Sequence, residues 1–330
     1  MTSVNKDIKR IAVFTSGGDA PGMNAAIRAV VRTASYHDLH VYGIYRGYDG
    51  MIDGTIERLD KRDVANIIQR GGTILKTARS ERFRTKEGRK TAYEALVAND
   101  IDALIAIGGD GTFTGAKFFF EEYGIPTVGV PGTIDNDLYG TDYTIGFDTA
   151  VNTAIECVDR IRDTADSHNR LFFVEVMGRA TGFIALNTGI GSGAGAILIP
   201  ESSLDVETLV KHLEKTAKRQ KLFSLIIVAE GNENGNAQKL TNEIKARFPE
   251  YDPKVTIIGH MQRGGAPSAL DRLVASRMGF KAVEAVLAGE TNVMVGIKNN
   301  EMVLVSFDDA INKHKEIDHD LLRMAEILSM

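Results

Sequence analysis

Cysteine, long apolar runs, surplus basic charge and the common nucleotide-binding fingerprints are scarce or missing in this 330-residue chain. The one cysteine, Cys157, excludes an internal disulfide and fits a reducing compartment, the cytoplasm. It falls in the apolar-periodic stretch 149–161, a setting that suits a buried helix thiol better than a nucleophile. No apolar stretch approaches the ~20 residues that span a bilayer. The brief run Ile11–Phe14 before Thr15-Ser16-Gly17 reads as a strand, not a signal peptide. A net charge of −5 argues against bulk attraction to nucleic acid or anionic membrane. Anionic ligands must then be met by local clusters of Arg and Lys. The chain also has no low-complexity segment, no long linker and no short-period repeat.

What is present is ordinary in bulk and specific in detail. Apolar residues make up 43% and charged residues 25%, as in a globular enzyme, and the length favours two domains. Short apolar runs at 11–15, 41–45, 103–107, 127–130, 171–176, 196–199, 225–229, 255–258 and 302–305 predict strands. Helical periodicity predicts helices at 25–34, 89–97, 113–122, 150–164, 206–218, 240–248, 273–287 and 321–328. The alternation implies α/β architecture with mainly parallel sheets covered on both faces, with a domain boundary near Gly146.

Two loops carry the chemistry. Gly108-Gly109-Asp110-Gly111-Thr112 follows one predicted strand, and Pro131-Gly132-Thr133-Ile134-Asp135-Asn136-Asp137 follows the next. The carboxyl edge of parallel strands is where open α/β sheets bind ligands. Glycines in the first loop let the backbone approach phosphates, and its carboxylate and hydroxyl suit Mg²⁺. The second loop sets two carboxylates at i and i+2, so that one can hold metal while the other accepts a proton. A third loop, Thr15 to Asn24, places paired glycines between a strand and a helix, a setting for anion binding at a helix N-terminus. It matches neither the P-loop nor the G-x-G-x-x-G pattern. Gly189-Ile190-Gly191-Ser192-Gly193-Ala194 does match the latter, but a strand-like run follows it and no clear strand precedes it, so a flexible turn is expected there. Together these loops describe a small-molecule kinase without a Walker lysine.

The ordered set of blocks resembles the bacterial ATP-dependent 6-phosphofructokinases over essentially the whole chain. The blocks are 15–24, Arg70-Gly71-Gly72-Thr73 with Ala78-Arg79, the two acidic loops, Gly140 to Phe147, Glu175-Val176-Met177-Gly178-Arg179, Ala229-Glu230-Gly231 and Gly259-His260-Met261-Gln262-Arg263-Gly264-Gly265. The resemblance implies two similar three-layer α/β/α domains with the active site in the cleft between them. Residues 1–145 plus 262–310 would form a larger ATP-binding domain, and 146–261 plus 311–330 a smaller sugar-phosphate-binding domain. The implied reaction moves the γ-phosphoryl group of ATP to the 1-hydroxyl of fructose 6-phosphate, the committed step of glycolysis.

By the same resemblance, ATP would contact Gly18, Tyr48, Arg79 and the 109–115 loop (Gly109, Asp110, Gly111, Thr112, Gly115), with Ser80 near the adenosine. Asp110 would be the Mg²⁺-side carboxylate. Asp135 would be the base, Asp137 a supporting carboxylate, and Thr133 and Arg179 would position the transferred phosphate. Arg79 would bridge phosphates in the transition state. Met177, Gly178, Glu230, His260 and Arg263 would bind the sugar phosphate. Arg170 and Lys254 would reach in from a neighbouring subunit of a homotetramer. Arg28, Arg32, Arg162, Arg219 and Lys221 would form an effector site.

Three positions depart from the family pattern. Lys254 stands where arginine is usual, Gly195 where glutamate is common, and Phe223 where histidine is common. Gly111 and Gly132 follow the ATP pattern, since pyrophosphate-using relatives typically carry Asp and Lys there. Rival readings are another kinase with the same Gly-Gly-Asp-Gly-Thr core, such as an NAD or diacylglycerol kinase, and an inactive nucleotide-sensing scaffold.

Overall fold

The computed structural model describes residues 8–168, 171–202, 207–211, 224–233, 235–248 and 253–328. In chain order its elements begin β1 (Arg10–Thr15), α1 (Met23–Tyr36), β2 (His40–Ile44), α2 (Gly47–Ile52), β3 (Ile56–Leu59), α3 (Lys86–Ala98), β4 (Ala103–Gly108), α4 (Asp110–Tyr123) and β5 (Thr127–Pro131). They continue with α5 (Phe147–His168), β6 (Leu171–Val176), α6 (Phe183–Ser192), β7 (Ala196–Leu198), β8 (Ser224–Ala229), α7 (Ala237–Arg247) and β9 (Lys254–Ile257). The last are α8 (Ala269–Leu287), β10 (Val293–Lys298), β11 (Glu301–Ser306), α9 (Phe307–Asn312) and α10 (His319–Leu328).

The chain divides into two compact units. One comprises Met1–Ile134, Leu138–Thr149 and Arg263–Lys315; the other comprises Asp135–Asp137, Ala150–Gln262 and Glu316–Met330. Sequence expectation divided the chain at 145/146, 261/262 and 310/311, against 149/150, 262/263 and 315/316 here, and it did not separate Asp135–Asp137 from their neighbours.

The first unit is built on a seven-stranded sheet in the order β11-β10-β5-β4-β1-β2-β3. β1 and β4 are buried almost along their whole length and read as unbroken apolar runs, as central parallel strands must. Ala12 and Phe14 face a cluster with Tyr48, Phe83, Leu96 and Phe119 from the α2–α4 side. Strand alternation sends Ile11 and Val13 to the opposite face. α1 packs closely along α8, where a Cβ on Gly279 would lie 2.7 Å from the Ala26 carbonyl oxygen. Only the edge strands β3 and β11 run antiparallel to their neighbours. The β10–β11 hairpin turns at Asn299 and Asn300, both at positive φ, which matches the right-handed strand twist and which asparagine tolerates.

The second unit carries a four-stranded, wholly parallel sheet in the order β7-β8-β6-β9. Leu171 and Phe173 of β6 and Ile226 and Val228 of β8 bury one face against Leu240 and Ile244 of α7.

Nine predicted strands and seven predicted helices correspond to observed elements, several shifted or extended by a few residues. The predicted helix 206–218 lies mostly outside the described residues, with 207–211 helical. β3, β10, α2, α6 and α9 were not expected. α6 is buried on nearly every side, so no polar face marks its period. This corrects the reading of residues 189–194 as a flexible turn. Gly189 to Ser192 form the last turn of α6, and Gly193, at φ 61°, is its left-handed C-terminal residue.

Candidate active site

Strand order in the first sheet reverses beside β1: the chain steps outward to β2 and later returns to place β4 on the other side. The loops after β1 and β4 therefore meet at the carboxyl edge, the position where such sheets bind ligands. They are tied directly. The Ser16 amide donates to the Ile107 carbonyl at 3.0 Å, and the Thr112 hydroxyl donates to the Ser16 carbonyl at 3.3 Å. A Cβ at Gly108 would sit 2.6 Å from that same carbonyl oxygen, so only glycine lets the two loops approach. The expected loop at 108–112 is shorter than the sequence suggested. Gly109 alone joins β4 to α4, and Asp110, Gly111 and Thr112 form the first helical turn. Asp110 and Gly111 are exposed there, and Thr112 is buried.

Tyr48 lies beneath this turn. Its ring stacks on Phe83 at 3.9 Å, its hydroxyl donates to the Thr112 carbonyl at 2.6 Å, and burial pushes its ionisation well above the ordinary tyrosine range. A Cβ on Gly115 would come within 3.0 Å of the ring. Tyr48 thus supports the α4 terminus from below. Ser80 donates its hydroxyl to the Asp49 carboxylate, and Arg79 beside it is exposed.

Arg263 was expected with the sugar-phosphate residues. Its guanidinium donates to the Asp19 carbonyl at 3.1 Å, and a Cβ on Gly18 would lie 2.6 Å from the same Nη1, so it packs on the first glycine loop.

Pro131 ends β5, and the following residues fold back on themselves: the Ile145 amide donates to the Pro131 carbonyl at 2.8 Å and the Thr144 hydroxyl to the Thr133 carbonyl at 2.6 Å. Thr133 and Gly132 are both buried. Farther along, the Asp271 carboxylate of α8 accepts from the Gly146 and Thr149 amides at 2.7 and 2.8 Å and from the Thr149 hydroxyl. It anchors the start of α5 at the far end of the acidic loop, and burial raises its pKa above the usual carboxylate range.

The second unit collects the remaining residues at the carboxyl edge of its own sheet. Asp135 is 1% exposed, and Arg179 Nε stands 3.2 Å from its Oδ2. Asn136, between the two carboxylates, has φ 54°, and Arg179 has φ 52°. The left-handed arginine is held by its neighbours. Glu230 Oε1 accepts the Arg179 and Gly178 amides at 2.8 and 3.2 Å, and a Cβ on Gly231 would strike the Arg179 carbonyl at 2.0 Å. Gln262, fully buried, accepts the Met177 amide through Oε1 at 2.9 Å. Exposed His260 precedes it in the short 3₁₀ turn Gly259–Arg263. Met177, Gly178, Arg179, Glu230 and His260 therefore follow the carboxyl ends of three adjacent parallel strands.

Lys254 does not join them, because it begins β9, at the opposite edge of the sheet. Arg170, Arg219, Lys221 and Phe223 lie outside the described residues. Arg28 and Arg32 are one turn apart on α1, and the Arg162 guanidinium donates to the Ser192 carbonyl at the end of α6. Sequence reasoning did not assign roles to Gln262, Asp271 or Asp49. Gln262 lies within the 259–265 motif, whereas Asp271 and Asp49 carry no local signal because their partners are distant in sequence.

Glycine loops and carboxylates at the carboxyl edges of parallel sheets define an α/β protein equipped for anionic ligands. Residues 10–286 match the family model described as Phosphofructokinase, and the chain belongs to that family. It is 56% identical to an ATP-dependent 6-phosphofructokinase of Cytophaga hutchinsonii over 322 residues, covering 98% of both chains. Identity is also 56% to the ATP-dependent 6-phosphofructokinase 1 of Thermus thermophilus, covering 98% of this chain and all of that one. The solved Pichia pastoris phosphofructokinase matches with TM-score 0.87 and 38% identity, over 94% of this chain and 36% of that longer one.

Proposed function

We propose that this chain transfers the γ-phosphoryl group of ATP to the 1-hydroxyl of fructose 6-phosphate, giving fructose 1,6-bisphosphate and ADP. The observation that carries the reading is the pairing of buried Asp135 with Arg179, in a member of this family more than half identical to relatives named for that reaction. A carboxylate so placed can take the proton of an attacking hydroxyl, while the guanidinium offers positive charge to the transferred group. Asp137 supports that carboxylate and Thr133 positions the phosphate. Phosphoryl transfer through a loose, anionic transition state depends mostly on positioning and positive charge, which Arg79 and Arg179 are suited to supply.

Gly18, Gly109, Gly111, Thr112 and Gly115 are assigned to ATP, with Tyr48 acting from below and Ser80 beside Arg79. Arg263, packed on Gly18, keeps the sugar-phosphate assignment that the family resemblance implies. Met177, Gly178, Glu230 and His260 are assigned to the sugar phosphate. Mg²⁺ fits the donor set, since it is typically bound through one or two carboxylates with water and substrate phosphates, and exposed Asp110 offers such a group at the head of α4. When bound, Mg²⁺ would neutralise phosphate charge.

The position of Lys254 supports a shared site in a homotetramer. Because it lies at the opposite edge of its own sheet from the Met177 group, it is assigned to a neighbouring subunit's site, as is Arg170. Among the described residues no helix is long and apolar enough to cross a membrane. Cytoplasmic location is proposed from the single cysteine.

The test is initial velocity with fructose 6-phosphate, NAD or a diacylglycerol as acceptor, and ATP or pyrophosphate as donor, with and without Mg²⁺. Turnover confined to fructose 6-phosphate, ATP and Mg²⁺ is expected. Preference for NAD or lipid would replace the reading with that of another kinase, and no turnover with any pair would favour a nucleotide-sensing scaffold.

A further inference from the structure

Arg79 lies in a stretch, 76–80, without helix or strand, and its exposed side chain has no hydrogen bond or ion pair among the described residues. What fixes its backbone is the residues on either side. Two positions before it, the Thr77 hydroxyl donates to the Gly17 carbonyl at 2.9 Å, tying the stretch to the first glycine loop. One position after it, the Ser80 hydroxyl donates to Asp49 Oδ1 while its oxygen accepts the Phe83 amide at 3.2 Å. Arg82 then pairs with Asp53 at 2.8 Å, and Phe83 stacks on Tyr48. Asp49 and Asp53 stand at or just beyond the two ends of the same helical turn of α2, so α2 acts as a rail along which the Arg79 segment is fastened.

Asp49 is the member of this set with a cost attached. Its carboxylate is 17% exposed and bonds the residue next to Arg79, so its negative charge would oppose a triphosphate held there. Its oxygens are occupied by the Ser80 hydroxyl and, at 3.9 Å, by Arg46 Nη2. Arg46 itself holds a left-handed conformation, φ 61°, at the head of α2.

We propose that Asp49 is a positioning residue for phosphoryl transfer: through Ser80 it fixes the backbone from which Arg79 reaches the phosphates. The proposal rests on the assignment of Arg79 to the phosphates. An irregular segment retains conformational freedom unless side chains remove it, and a misplacement of about 1 Å in a charged group at a reacting centre costs on the order of 10²-fold in rate. Asparagine at 49 would keep an acceptor for Ser80 and shed the charge.

The test is a double-variant cycle read as kcat and as KM for each substrate, with melting temperature as a check on folding. Asp49→Ala is expected to lower kcat about tenfold or more while KM for fructose 6-phosphate stays within about twofold, and Asp49→Asn to retain most of the native rate. In an Arg79→Ala background, Asp49→Ala should add no further loss, because the group it positions is gone. Ser80→Ala should reproduce the Asp49→Ala phenotype, and it serves in its place if Asp49→Ala does not fold. Native kinetics in Asp49→Ala or Ser80→Ala alongside a crippled Arg79→Ala would overturn the proposal, as would multiplicative losses in the double variant. A fully active Arg79→Ala would remove the assignment of Arg79 and the proposal with it.

Discussion

Arg179 Nε and Asp135 Oδ2 stand 3.2 Å apart, the carboxylate buried and the guanidinium partly exposed. The contact joins the strained turn after β6 to the acidic loop. Asp135→Ser would remove the proposed proton acceptor, so kcat should fall ~10²–10⁴-fold with substrate KM values within a few-fold. Steady-state kinetics decide it: a near-native kcat would take Asp135 out of the role of base.

Donor choice is best probed at Gly111 alone. A Cβ there meets nothing within 4 Å, and an acid in the first turn of α4 suits the helix dipole. Gly111→Asp should therefore keep the native melting temperature while ATP turnover falls at least about tenfold, by repulsion of the triphosphate. Gly132 is buried, with a Cβ position 3.0 Å from both Ile107 Cγ2 and Met23 Cε. Gly132→Lys should lower the melting temperature, and so it cannot report on donor choice. Undiminished ATP kinetics in Gly111→Asp would refute the electrostatic account.

Lys254→Arg should lower KM for fructose 6-phosphate, because a planar fork grips a phosphate at two points where an ammonium grips at one. The effect should appear only in the assembled oligomer, since Lys254 begins β9 and the Met177 group follows the other end of the sheet. Kinetics paired with sedimentation at the assay concentration would measure both. An unchanged or higher KM would remove Lys254 from the phosphate.

The ion pair that fastens α3 to α4 predicts a pH dependence of stability. Arg89 donates through Nε and Nη2 to the two oxygens of Glu122 at 2.7 and 2.6 Å, and through Nη1 to the Phe83 and Arg84 carbonyls. These hydrogen bonds hold the Glu122 carboxyl below the usual carboxylate range. A depressed folded pKa means that the stabilisation is complete above the unfolded value, about 4.3, and is lost as pH falls through the lower folded value. Arg89→Met should therefore cost about 3 kcal/mol near neutrality and progressively less below pH ~4. Melting curves across that range test it; a gap between native and variant that stays constant with pH would assign the cost to lost packing.

The local chemistry of this protein was legible in the chain itself. Apolar runs marked nine strands, eight of them in parallel pairings that favour continuous hydrophobic sequence, and the glycine–carboxylate loops marked the carboxyl edges. β10 and α6 escaped notice for the complementary reason: a glycine interrupts the run in β10, and α6 is too uniformly buried to show a period. Tertiary structure alone decided which loops met. The reversal of strand order beside β1 brought Ser16 to Thr112, 96 residues away, and the second sheet gathered Met177, Glu230 and Gln262 while setting Lys254 at its far edge. Those outcomes depend on strand order and register, which are fixed by packing between distant segments. Asp49 holding Ser80, or Asp271 holding the start of α5, is a hydrogen bond whose partners share no local pattern, and only the folded chain supplies it.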